Sequence, residues 1–182
     1  MSILCGIDEA GRGPIAGDLV VAGCIFKDKN NIEGLNDSKK ISEKKRYKLF
    51  DEIIQKTKYH IVVIKPLEID EKGLSFCMKK ALIEIKESLV TDTYLFDGNT
   101  TFGVTGLETM VKADGKVAEV SAASILAKVT HDRNIIRDAV LYPEYSFEKH
   151  KGYGTKLHVE MIKKYGYSPI HRKSFKLKAL AP

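Results

Sequence analysis

Four carboxylates stand out by position rather than number. Asp8 and Glu9 are adjacent in GIDEAGRGPIAG (residues 6–17), between the apolar runs ILCG and LVVAGCIF. Asp97 closes the run TYLFD and precedes Gly98 and Asn99, and Asp114 follows 17 residues later in VKADGK. Carboxylates drawn together without Lys or Arg partners repel one another, a cost that a divalent cation among them removes. An all-oxygen donor set selects Mg2+ or Mn2+ over zinc. Each acid alone also has a plainer reading, because Asp before Gly is turn chemistry and acids at strand ends are commonly just solvated. In a pleated strand Asp8 and Glu9 point to opposite faces, so they converge only if the strand ends or bulges there.

A second kind of chemistry lies in charge and glycine. The 182-residue chain carries a net charge of +6, but eight basic residues beyond His150 face one acid, Glu160, so everything before them is slightly acidic. Tyr153, Tyr165, Tyr167 and Phe175 are interleaved with those charges. A basic segment with aromatics suits a polyanion, and it equally describes a solvated basic face. No apolar run approaches the roughly 20 residues that span a bilayer. The start, MSILCGIDEAG, lacks the basic region of a signal peptide, so a soluble, cytoplasmic protein is expected. Cys5, Cys24 and Cys77 have no metal-ligand spacing and read as small core residues in a reducing compartment.

The elements that must position these groups follow from periodicity. Strands are expected at 3–8, 18–26, 59–65 and 93–97, each apolar and bounded by Gly, Pro or Asp. Ser42 is placed to cap a helix running to about Lys58, and a second helical pattern covers 68–89, with Gly73 a weak point near its start. Residues 120–140 keep helical spacing through Ala122, Ile125, Leu126 and Val129. KGYG opens a last helix at about 155–165, and an irregular basic tail follows. The whole predicts one α/β domain over 1–182 with a mixed sheet, residues 142–182 forming a basic helical and irregular extension.

GIDEAGRGPIAG resembles the opening signature of ribonuclease HII, the type 2 ribonuclease H family. LNDSKKIS (35–42), DGN (97–99), VKAD (111–114), SAASILAKVTHDR (121–133), HKGYGTKLH (150–158) and HRKSF (171–175) follow in the family's order. The resemblance implies a ribonuclease H-like fold: a central mixed five-stranded sheet flanked by helices, with a C-terminal helical extension. It implies an endonuclease that hydrolyses the RNA strand of RNA/DNA hybrids and nicks 5′ of single ribonucleotides in duplex DNA. Two Mg2+ or Mn2+ ions would leave 3′-hydroxyl and 5′-phosphate ends, in ribonucleotide and RNA-primer removal. The metal-binding and catalytic acids carried over are Asp8, Glu9, Asp97 and Asp114, with Asp8 and Asp97 in most direct contact.

For substrate, the resemblance assigns Gly11, Arg12 and Gly13 to the 2′-hydroxyl and phosphate, and Tyr153 to stacking on the sugar after the ribonucleotide. Lys39, Ser124, Lys128, Arg172 and Lys173 are candidate phosphate contacts. Asp132, on the face of Ile125 and Val129, is expected to be part-buried and paired, and His150 and His158 to be structural. Two departures stand out: His131 replaces the usual Arg, and Gly73 the usual Asn. The partners implied are the hybrid and the ribonucleotide-containing duplex, with no membrane, no obligate protein partner and a monomeric state. The rivals are a ribonuclease HIII-like enzyme, disfavoured by the GRG turn, a general metal-dependent phosphodiesterase, and a non-catalytic nucleic-acid-binding domain.

Overall fold

The apolar strands assemble into one five-stranded sheet of order β3-β2-β1-β4-β5. The structure is a computed structural model that describes residues 3–27, 32–35 and 41–176. Strand β1 (Leu4–Ala10) pairs antiparallel with β2 (Leu19–Phe26), which pairs antiparallel with β3 (Thr57–Ile64). On its other edge β1 runs parallel to β4 (Thr93–Asp97), and β4 parallel to β5 (Glu108–Met110). The sheet is mixed, as the resemblance implied. β5 carries only Glu-Thr-Met and buries none of them fully, so no apolar alternation marked it in the sequence.

Ser42 caps α1 (Glu43–Lys56), its side chain accepting from the Lys45 amide at 3.3 Å. The helix stops before the expected Lys58 because Thr57, β-branched, already pairs with Phe26 in the sheet. The pattern read as one helix over 68–89 is two, α2 (Pro66–Lys72) and α3 (Leu74–Ser88), divided at Gly73. The long helix α4 (Ala118–Leu141) is followed by the short α5 (Phe147–His150) and by α6 (Lys156–Tyr165).

α2 and α3 cover one face of the sheet through Ile69, Met78, Leu82 and Ile85, packed on Ile7, Val21, Ile64 and Phe96. α1 and α4 cover the other through Leu49, Ile53, Ile125 and Leu126, packed on Val20 and Ala22. α4 comes unusually close to β1 at Gly6, where a Cβ would lie 2.2 Å from the Glu119 carbonyl carbon. That approach sets the first turns of α4 over the carboxylate end of the strand. The C-terminal residues build a third cluster, in which Tyr145, Phe147 and Ile162 pack with Ile15, Ala16 and Ile135. They lie directly behind the loop that follows β1. Among the described residues no helix is long and apolar enough to cross a membrane, and the three cysteines are buried and free.

Candidate functional site: three carboxylates and a glycine turn

β1 does not end at Asp8. It runs on through Ala10, which pairs with Val20, so the expected convergence of Asp8 and Glu9 at a strand end does not occur. The sheet register pairs Ile7 with Phe96, and the next step sets Asp8 beside Asp97 on the α4 face. Glu9 falls on the opposite face, where its Oε1 meets the Arg12 guanidinium at 3.4 Å. After β5 the chain reverses at Lys112, left-handed at φ 59°, and enters a 3-10 turn at Ala113–Gly115. That turn presents Asp114, whose backbone amide donates to Asp97 Oδ2 at 3.4 Å. The Ser121 hydroxyl of α4 donates to the Asp114 carbonyl at 2.6 Å, pinning the turn to the helix.

The result brings carboxylate oxygens of Asp8, Asp97 and Asp114 within 4.8 Å of one another. Glu9 is not one of the three, although among the described residues its buried Oε2 has no hydrogen-bond partner. Burial drives the Asp8 carboxyl up to about 8, and the neighbouring Glu9 and Asp97 charges add to that, while the Ser124 hydroxyl and the Glu9 amide pull the other way. Glu9 is also raised, again mainly by burial, with Arg12 opposing. Buried acids that resist ionisation in close company fit a site for a hard divalent cation, and all the donors are oxygens.

Beside the acids opens a cleft of about 440 Å3, lined by Glu9, Gly11, Arg12, Gly13, Arg46, Ser124, Lys128 and Tyr153 among others. Gly11 has φ +83°, and a Cβ there would lie 2.4 Å from the Asp18 carbonyl oxygen and 2.5 Å from the His131 ring, so only glycine makes this turn. Gly13 forms the lip facing Tyr153: a Cβ there would sit 3.8 Å from the tyrosine ring. Tyr153 is 46% exposed. Arg12, which lines the cleft, sets its guanidinium over Phe102, 5.2 Å from the ring centre.

Lys128 lines the cleft while held by Asp132 at 2.9 Å, and Asp132 also meets His131 Nδ1 at 3.0 Å. Asp132 is thus buried and paired, as its helical position implied. Arg46 joins the cleft wall from α1, bonded to the Ile41 carbonyl at 3.3 Å. Sequence reasoning passed over it because nothing separates it from the neighbouring charges of SEKKRYK. Lys39 lies outside the described residues.

Arg172 requires a correction. The sequence reading made it a phosphate contact, but it is 1% exposed and its guanidinium is spent on backbone carbonyls of residues 11–17. No phosphate can reach it there. Lys173, beside it, is exposed.

Comparison with known proteins agrees with this geometry. The family model described as Ribonuclease HII matches residues 5–178. The ribonuclease HII of Aliarcobacter butzleri is 60% identical over 182 residues, covering 99% of this chain and 94% of its own. Among solved structures, a chain of the PCNA:RNase HII complex from Archaeoglobus fulgidus superposes with a TM-score of 0.84 at 28% identity, over 97% of this chain and 96% of that one. The ribonuclease H2 from Pyrococcus horikoshii OT3 gives 0.79 at 30% identity, over 96% and 94%.

Proposed function

From the premise that this chain belongs to the ribonuclease HII family and is a ribonuclease H endonuclease, we propose the substrates and residue roles that its cleft serves. It hydrolyses the RNA strand of RNA/DNA hybrids and nicks duplex DNA on the 5′ side of a single ribonucleotide, leaving 3′-hydroxyl and 5′-phosphate ends. Its place is the removal of ribonucleotides and RNA primers from DNA, and it cleaves as a single chain without a protein partner. The observation that carries this reading is the meeting of Asp8, Asp97 and Asp114 beside a cleft bounded by the Gly11–Gly13 turn.

Asp8, Asp97 and Asp114 would hold Mg2+ or Mn2+, and Glu9, which lines the adjoining cleft, would support them. When bound, such cations activate an attacking water and offset the charge that gathers on the scissile phosphate. The chain's own residues choose where that happens. The 2′-hydroxyl is what separates RNA from DNA at a given position. The backbone of Gly11, Arg12 and Gly13, without bulky Cβ atoms at either glycine, can approach that hydroxyl closely. Tyr153, on the opposite lip, offers a ring face to the next sugar. Lys128 and Arg46 supply positive charge along the strand backbone, and Ser124 orients Asp8.

The test uses purified full chain with Mg2+ or Mn2+ and a DNA duplex holding one ribonucleotide. The expected product is a single nick on the 5′ side of that nucleotide, with an extendable 3′-hydroxyl. An uncut duplex, or equal cleavage of the all-DNA duplex, would contradict the reading.

A further inference from the structure

Arg172 is a buried cation with no carboxylate partner among the described residues. Its five N–H donors all meet main-chain carbonyls of one loop. Nε donates to Gly17 O at 3.0 Å, Nη1 to Pro14 O at 2.9 Å and Arg12 O at 3.3 Å. Nη2 donates to Gly11 O at 2.6 Å and to Gly17 O at 2.8 Å. Burial lowers its pKa to about 10, which leaves it charged at neutral pH; Asp18 and Asp70 act only at a distance. Burying a guanidinium is expensive unless every donor is met, and here one loop meets them all.

The surrounding main chain makes the same connection. Arg172 N donates to Ile15 O at 2.8 Å, and Gly17 N to Ile170 O at 2.9 Å. Ile15 N donates to Gly152 O at 2.9 Å, one residue before Tyr153. The loop that contains the glycine turn is therefore held between the Tyr153 loop and the segment carrying Arg172. With the carbonyls of Gly11, Arg12 and Pro14 drawn inward, the amides of Arg12 and Gly13 make no backbone hydrogen bond among the described residues.

We propose that Arg172 is the positioning residue of the substrate-reading turn: its buried fork sets the backbone conformation that Gly11, Arg12 and Gly13 present to the ribonucleotide. This rests on the reading of the cleft given above. Lysine at this position keeps the charge but replaces a planar five-donor fork by three donors from one point, so it cannot hold four carbonyls in the same arrangement.

The experiment compares full-length wild type with Arg172→Lys on the single-ribonucleotide duplex, with Mn2+ affinity measured by calorimetry. Arg172→Lys is expected to raise KM at least about tenfold, to change kcat less, and to leave Mn2+ affinity within about twofold. A folded Arg172→Lys with unchanged KM overturns the proposal, and so does a parallel loss of Mn2+ binding, because the turn would then not be the part affected. Asp70→Ala is the second variant. Its carboxylate accepts from the amides of Lys173 and Ser174 at 2.8 and 2.9 Å and so anchors the Arg172 segment from outside the cleft. It is expected to raise KM about threefold. If Arg172→Lys does not fold, an unchanged KM in Asp70→Ala overturns the proposal. Wild type that leaves the duplex uncut would defeat the functional reading instead, a separate outcome.

Discussion

Two clusters of ionisable side chains lie on either side of the Gly11–Gly13 turn, and they are stabilised in opposite ways. In front, Asp8, Asp97 and Asp114 crowd within 4.8 Å, Asp8 is pushed up to about 8, and Glu9 Oε2 is buried with no partner among the described residues. Behind, His150, His158, His171 and Arg172 are buried, yet every ring nitrogen and guanidinium proton has a partner. His158 Nδ1 meets Tyr153 O at 2.9 Å and its Nε2 meets His171 Nε2 at 2.9 Å. His171 Nδ1 accepts from the Ser168 amide at 2.8 Å, and His150 spans Tyr145 O and the Gly152 amide. The chain of contacts assigns one neutral tautomer to each ring: His171 Nε2–H donates to His158, whose Nδ1–H donates to Tyr153.

The difference separates work from support. On the proposed reading the front cluster holds a cation that the polypeptide does not itself supply. The rear cluster is complete, and its order fixes the two loops that bound the cleft. Changes in front should therefore act on turnover with little effect on folding, and changes behind should act on folding or on substrate fit.

The largest effect expected is from Asp97→Asn, which removes a central carboxylate while relieving repulsion. Cleavage of the single-ribonucleotide duplex should fall about a thousandfold or more, with duplex binding and melting temperature almost unchanged. Activity within tenfold of wild type would show that the front cluster is not the working one.

The rear cluster makes a prediction about pH. Burial, and for His171 also the facing His158, lowers the pKa of His158 and His171 to about 4 each. An unfolded histidine titrates near 6.5, so between about 6.5 and 4 the unfolded chain binds more protons than the folded one. Stability from this pair is fully present above about pH 6.5 and is lost as pH falls toward 4, by roughly a few kcal/mol. Urea unfolding at pH 7, 6, 5 and 4 measures it, and His158→Gln should flatten that slope. A slope unchanged in His158→Gln would mean the rear cluster is not the titrating element.

The smallest effect belongs to Tyr153, which spans the comparison: its backbone is tied to the rear cluster and its ring is 46% exposed at the cleft. Tyr153→Ala should leave stability within about 0.5 kcal/mol and reduce cleavage at the ribonucleotide–DNA junction about fivefold more than cleavage of uniform hybrid. Equal losses on both substrates would remove the tyrosine from specificity.

Much of the front was legible in the sequence because its signals are local. Asp8 and Asp97 stand at the ends of apolar runs, and Asp114 lies in a glycine turn before a strongly periodic helix. Glu9 was grouped with them by the resemblance, and because the β1–β2 ladder continues to Ala10 it stands outside the group of three carboxylates. In the rear, His150 and His158 are structural, as expected from the sequence, but Arg172 was misread for a physical reason. A lone arginine in a basic tail looks like a surface charge, and its four carbonyl acceptors lie about 160 residues away along the chain. No local pattern records such a contact. β5 was invisible for want of apolar residues, and the break in the 68–89 helix was flagged only as a weakness at Gly73.

The most direct measurement is a calorimetric titration of metal-stripped protein with Mn2+ at pH 7, in two buffers of different ionisation heat. Wild type should bind with release of a proton, as Asp8 gives up the proton that burial and its acidic neighbours hold on it, and Asp97→Asn should bind at least about tenfold more weakly. Wild type that takes up no Mn2+, or an Asp97→Asn variant that binds it equally well, would contradict the assignment of the three carboxylates as the metal site.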